Sequence, residues 1–242
     1  MKKTKLFIDE NMIEHPCTLV SEIASVHYLN YEGGKISKTN NRGIFGDEVM
    51  RKGIHTDYWR YYLMKIRAED GIGTTGHQRG DANFTWRDFV DSCNADLAKN
   101  YGNLVHRTFD LVHKYFGGNV DMSSFKFDGT FEFRRNKLMG MCDESYERNM
   151  IGPAIWSILE LCNLTNKMLT DVAPWSRYKK NSNDPEILRA IGTALSTVQI
   201  ITKMFSPIMP ETTGLILSFY EEKNGMMCIR PGFTPFFNFI KV

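Results

Sequence analysis

Long apolar runs are missing from this sequence, and so is any clustering of cysteine. No run approaches the roughly 18 apolar residues that a membrane span needs, so none is expected. The five cysteines (Cys17, Cys93, Cys142, Cys162 and Cys228) are scattered and never spaced as CxxC. That pattern argues against a disulfide framework and against a zinc knuckle. The basic start at Lys2, Lys3 and Lys5 meets Asp9 and Glu10 before a signal-peptide core could form. A reducing compartment, the cytoplasm, is the expectation. Charge excess is lacking too: thirty basic against twenty-eight acidic side chains leave +2. Such a balance does not announce a nucleic-acid binder, so any contact of that kind must be local.

What is present is an ordinary globular composition, 42% hydrophobic and 24% charged over 242 residues. A chain of that size holds one large domain or two modest ones. The first stretch carries short β-type runs, residues 5–8 and Val26-His27-Tyr28-Leu29-Asn30-Tyr31, the second stopped by Glu32-Gly33-Gly34. Two or three such strands have no independent stability. They either complete a sheet whose other strands lie outside this chain or are only marginally ordered. With Leu19, Val20 and Leu29 on an open edge, disorder or association is expected for residues 18–46.

From about Asp47 the pattern turns helical. Thr56 or Asp57 is placed to cap a helix through Ile66, and the glycine-rich stretch 70–83 reads as a loop. Thr85 with Asp88 imitates a capping box. Apolar residues then recur at three- and four-residue spacing from Trp86 to Phe116, up to Gly117-Gly118. One helix of that length would span on the order of 45 Å. Further helices are expected over 131–148, over 153–169, from Pro185 to Phe205 behind the cap Asp184, and from Glu211 to about Tyr220. The fold class is therefore mainly α, its second half an antiparallel helix bundle.

Three groups of residues carry chemistry. Gly33-Gly34-Lys35-Ile36-Ser37-Lys38-Thr39 places two lysines in a loop loosened by glycines. Two mobile ammonium groups there suit a polyphosphate whose charge develops as pyrophosphate leaves; a solvated hairpin tip is the plain alternative. On the long helix, Asn103 and Arg107 are four apart and project side by side. An amide beside a guanidinium can meet the Watson–Crick edge of an unstacked base, or simply be a polar helix face. Pro174-Trp175, in the loop after the 153–169 helix, either plugs the bundle or offers a stacking platform.

Lys35-Ile36-Ser37-Lys38-Thr39, with Tyr28–Gly34 before it and Gly43-Ile44-Phe45-Gly46 after, resembles the KMSKS region of the methionyl-tRNA synthetases, a class I aminoacyl-tRNA synthetase family. Ile36 and Thr39 depart from the motif; both lysines remain. Thr56–Leu63 is similar to the family's stem-contact helix, Asn83–Phe89 to the entry of its anticodon domain, and Pro231–Phe237 to its terminal segment that packs back on the core. The likeness runs from about residue 18 onward. It implies a remnant of the class I catalytic α/β domain over 1–46, a stem-contact region over 47–84, a helical anticodon-binding domain over 85–225, and a tail over 226–242.

It implies roles as well. Lys35 and Lys38 would be catalytic, and with Ser37 would bind ATP, taken as a substrate with Mg²⁺. Asn103, Arg107 and Trp175 would contact the CAU anticodon of tRNA-Met, chiefly its first base. No metal site, membrane or DNA partner is expected. The family's HIGH histidines, methionine pocket and zinc-bearing insertion lie upstream of the KMSKS loop, and no HxGH occurs here. Methionine–tRNA ligase activity would thus need the missing amino-terminal half to engage ATP and methionine. The alternative is a stand-alone tRNA-binding module without catalysis of its own.

Overall fold

Glu32 and Gly33 both take positive φ, 47° and 77°, the geometry of a tight hairpin turn. They fold β3 (Leu29–Tyr31) back onto β4 (Gly34–Lys35). The structure, a computed structural model, describes residues 4–8, 14–18, 26–44, 46–69 and 80–241. Ahead of this turn, β1 (Thr4–Ile8) and β2 (Glu14–Thr18) make an antiparallel pair of their own. Leu19, Val20 and most of the expected loop, 70–79, lie outside the described residues.

The third strand of the β3–β4 sheet was not expected. β5 (Ala82–Phe84) lies parallel to β3, within what had been read as the end of a loop. β3 is thus paired on both sides, and Leu29 packs against the core instead of an open edge. Between β4 and β5 come α1 (Gly46–Arg51) and α2 (Thr56–Lys65). Neither Thr56 nor Asp57 caps α2. His55 does, its Nδ1 accepting from the Asp57 amide at 3.2 Å. Asp57, fully buried, instead takes the Thr212 amide at 2.7 Å and so caps a helix from the far end of the chain.

The expected long helix forms, but in three parts: α3 (Trp86–Ser92), a widened π-type stretch over Cys93–Gly102, and α4 (Asn103–Phe116). Thr85 caps it as expected, yet Asp88 does not reach back. Its carboxylate accepts from the Tyr62 hydroxyl at 2.6 Å. Asp96 similarly holds the Tyr61 hydroxyl (2.7 Å) and the Lys65 ammonium (2.6 Å), so three polar bonds clamp α2 to the rod. Gly117, at φ 58°, ends α4.

After β6 (Asn119–Asp121), helices α5 (Gly129–Glu147) and α6 (Ile151–Val172) form an antiparallel pair across a short connection. Next come α7 (Pro174–Lys180), α8 (Pro185–Phe205) and α9 (Pro210–Ser218). α7 stands where a loop was expected, while α8 starts on its Asp184 cap as anticipated. The last helix stops at Ser218, short of Tyr220. There β7 (Tyr220–Lys223) and β8 (Met226–Ile229) pair about the turn Asn224-Gly225, and β8 pairs in turn with β6.

One core joins the α2 region to the bundle. The tail closes it. Asn94 exchanges two hydrogen bonds with the Ile240 backbone (2.8 and 3.0 Å), Tyr58 donates to the Asn238 carbonyl (2.8 Å), and Phe237 is buried. Residues 93–105 are consequently covered on two sides, by Phe237 and by Thr202 and Phe205 of α8. Gly102 sits at the tightest point: a Cβ there would lie 2.8 Å from the Leu97 carbonyl oxygen and 3.0 Å from the Phe237 ring. Gly102→Ala is expected to cost about 1–3 kcal/mol by overpacking. Gly140→Ala, inside α5 and in open space, should instead gain roughly 0.5–1 kcal/mol. Opposite shifts in thermal midpoint check both; a stabilised Gly102→Ala would mean that the widened turn and the tail over it are not packed as described.

Candidate functional site

A single backbone feature brings two of the three predicted elements, the Asn103–Arg107 pair and Trp175, together. Ala173, between α6 and α7, takes the left-handed conformation at φ 46°, ψ 61°. For a residue with a Cβ this is disfavoured, and its persistence marks a joint held by its surroundings. The joint turns α7 sharply, with Pro174 buried at its first position. Trp175 then faces α4, where the Arg107 guanidinium lies 4.5 Å from the indole centroid, a cation–π contact. Partial burial lowers the Arg107 pKa from its ordinary value, though a guanidinium stays charged.

Asn103, Arg107 and Trp175 line one cleft of about 770 Å³. Asn103 is exposed at one end, and Tyr115 stands at the other. Trp175 is only half-buried, packed against the core along one side. Of the two readings left open for it, plug and platform, the geometry contains something of both. The arrangement offers an amide, a guanidinium held flat on a ring, and aromatic surface, around a space that admits a planar heterocycle.

Supporting residues were missed by sequence reasoning. Arg177 donates to the Val172 carbonyl and to Asp184 Oδ2, each at 3.0 Å, locking α7 to the cap of α8. The Glu186 amide and this guanidinium hold the Asp184 carboxyl below its ordinary value. Tyr115 and Tyr178 pair with centroids 4.3 Å apart, a second aromatic contact between α4 and α7. No local pattern announces these bonds, because they join residues from separate elements.

The other predicted element is elsewhere. Lys35, the last residue of β4, and Lys38, in the turn that follows, are exposed, and neither is ion-paired among the described residues. Ser37 bridges to Arg42 through two backbone bonds of 2.9 Å, closing a small turn over Lys38–Asn41. Its hydroxyl oxygen accepts the Asn40 amide at 3.3 Å. Glu32 accepts from the Trp86 amide (2.9 Å) and Tyr31 from the Trp86 indole (3.0 Å), fixing the loop to the start of α3. From Trp86 to Asn103 the helical rod advances on the order of 25 Å. The lysine loop, fixed near the start of this rod, and the Arg107–Trp175 cleft, along its second half, are therefore held well apart.

Other reactive groups are quiet. Burial pushes the Cys93 and Cys142 thiols up to about 12, which removes them as nucleophiles near neutral pH. Among the described residues no group of three His, Cys, Asp or Glu side chains could hold a metal ion, and no helix is long and apolar enough to cross a membrane.

Comparison with known proteins bears on both ends of the rod. A family model described as "tRNA synthetases class I (M)" matches residues 6–109. The methionine–tRNA ligase of Borrelia garinii subsp. bavariensis is 30% identical over 205 residues, 84% of this chain and 26% of that protein. That of Treponema denticola is 28% identical over 243 residues, 92% of this chain and 29% of that protein. The chain thus spans about a quarter of the length of the curated relatives it matches. A Mycobacterium tuberculosis methionyl-tRNA synthetase, solved in complex with methionyl-adenylate, shares the fold with a TM-score of 0.70 at 21% identity. The match covers 87% of this chain and 42% of that one.

Proposed function

We propose that this chain, related to the methionyl-tRNA synthetases and about a quarter of their length, is the tRNA-binding portion of a methionine–tRNA ligase. Asn103, Arg107 and Trp175 read the first base of the CAU anticodon. Lys35 and Lys38, with Ser37, meet the ATP phosphates while methionyl-adenylate forms on a catalytic half supplied by residues outside this chain. The observation that carries the reading is the cleft, where the guanidinium of Arg107 rests on Trp175 with Asn103 one turn away. The span of the rod supports it, because a reader of one end of tRNA and a loop serving the other must stand far apart.

The second reading, a tRNA-binding module without catalysis, would leave Lys35 and Lys38 as two exposed, unpaired cations with nothing to do. Their presence favours the ligase.

Fluorescence anisotropy with methionine tRNA, and with the same tRNA altered at the first anticodon base, tests the proposal. The altered base should lose about 1–3 kcal/mol, roughly 5- to 150-fold in Kd, at each of two salt concentrations. Equal binding of both RNAs, weakening together with salt, would leave phosphate contact alone and remove the anticodon reading.

A further inference from the structure

Helices α5 and α6 leave an open groove of about 500 Å³ whose chemistry the proposed function does not use. Phe133 is 71% exposed and Trp156 48% exposed, and both line it. Rings of that size are seldom left bare unless something covers them. Arg134, Lys137 and Lys167 line the same groove, and none is ion-paired among the described residues. Most neighbouring arginines are: Arg135 reaches Glu132, Arg148 reaches Glu144, Arg177 reaches Asp184, and Arg189 reaches Glu186. In a chain with a net charge of only +2, three free cations beside two bare rings form a local basic and aromatic patch. The one acid lining it, Glu160, accepts a hydrogen bond from Asn163 at 3.2 Å.

Hydrogen bonds tie the groove to the helical rod that carries the cleft. Asn163 lines it and accepts from the Asn100 amide at 2.9 Å, and Asn166 donates to Asn100 at 3.0 Å. Asn100 precedes Asn103 of the cleft by three residues. Three hydrogen-bonded asparagines, Asn100, Asn163 and Asn166, thus fix α6 beside the groove to the rod, one turn ahead of Asn103.

We propose that the α5–α6 groove is a second RNA contact, taking the backbone next to the loop held in the cleft. Arg134, Lys137 and Lys167 meet phosphates, and Phe133 and Trp156 pack against sugar or base faces. This rests on the cleft being the anticodon reader. Point cations interleaved with bare rings meet phosphates and base or sugar faces together, which suits RNA better than an acidic protein segment. Such a segment would have no use for two exposed aromatic faces beside the cations.

The test uses the full chain and a synthetic hairpin RNA carrying a CAU loop on a duplex stem, followed by anisotropy across a salt series. The triple variant Arg134→Gln, Lys137→Gln, Lys167→Gln should bind about 10- to 100-fold more weakly at low salt, and the slope of log K against log salt should fall by about 2–3. Its preference for CAU over an altered loop should be unchanged. Phe133→Ala with Trp156→Ala should lower affinity and keep the slope. Thermal melts confirm that these surface variants stay folded. A triple variant with wild-type slope and affinity overturns the proposal and leaves the groove to a protein partner, as does a wild-type chain that binds no RNA. Should wild type ignore the loop sequence while the groove variants still weaken binding, the anticodon reading falls and the groove contact stands.

Discussion

Phe109→Ala is expected to remove about 3–5 kcal/mol of folding stability, a large share of the roughly 5–15 kcal/mol that a domain possesses. Phe109 is fully buried on α4. Its ring meets Phe233 (centroids 5.3 Å), Tyr220 (5.4 Å), Phe236 (6.1 Å) and Phe219 (6.3 Å). Those partners come from α9's exit, β7 and the tail, so the truncation opens a cavity where three separate pieces converge. None can collapse into it without unseating the others. Urea unfolding should show a lowered midpoint with a slope near that of the wild type. Phe239→Ala is the control: that ring is 56% exposed, and a surface truncation should stay within about 0.5 kcal/mol. If the two variants shift the midpoint equally, the tail is not packed on α4 in solution.

Trp175→Ala is expected to weaken binding of CAU-bearing RNA by about 1.5–4 kcal/mol, roughly 10- to 800-fold. Lost base stacking accounts for about 1–3 kcal/mol and the lost rest for Arg107 for about 0.5–1. The two losses are coupled, since a guanidinium freed from the indole must be ordered again when a base arrives. Trp carries no charge, so the salt dependence of binding should not move. Arg107→Lys tests the same contact from the other side: an ammonium keeps the charge but neither lies flat on the ring nor donates in a planar fork. Anisotropy against both loop sequences reads these effects. Unchanged affinity for the CAU loop, or a loss matched by a lowered thermal midpoint, would make Trp175 a residue of the fold and take it out of the reader.

The parts of the structure visible in sequence are those decided within a few residues. Asp184-Pro185 starts α8 and Gly117 ends α4 because capping is local. Thr85 was legible for the same reason, but its partner was not. Asp88 is drawn away by the Tyr62 hydroxyl, as Asp57 is drawn from α2 to the Thr212 amide. Tertiary bonds outcompeted the nearer amide in both cases. β5 has only three residues and joins β3 across more than fifty positions, which no local periodicity encodes. Asn224-Gly225 was readable as a hairpin turn, yet the helical pattern running up to Tyr220 hid it.

The candidate site divides the same way. The four-residue spacing of Asn103 and Arg107 follows from helix geometry alone. Their meeting with Trp175 depends on the left-handed Ala173 and on Arg177 bridging to Asp184, and neither carries a sequence signature.

The tail has a consequence for how the protein is made. Asn94 and Ile240 are bonded at a separation of 146 residues. At roughly 5–20 residues per second, α3 and α4 leave the ribosome on the order of 7–30 s before the segment that covers them. Through that interval Phe109 and Tyr101 lack their final neighbours, and the nascent helices present an unfinished apolar face to whatever is nearby. Production of this chain should therefore respond to holdase chaperones and to slower synthesis at lower temperature.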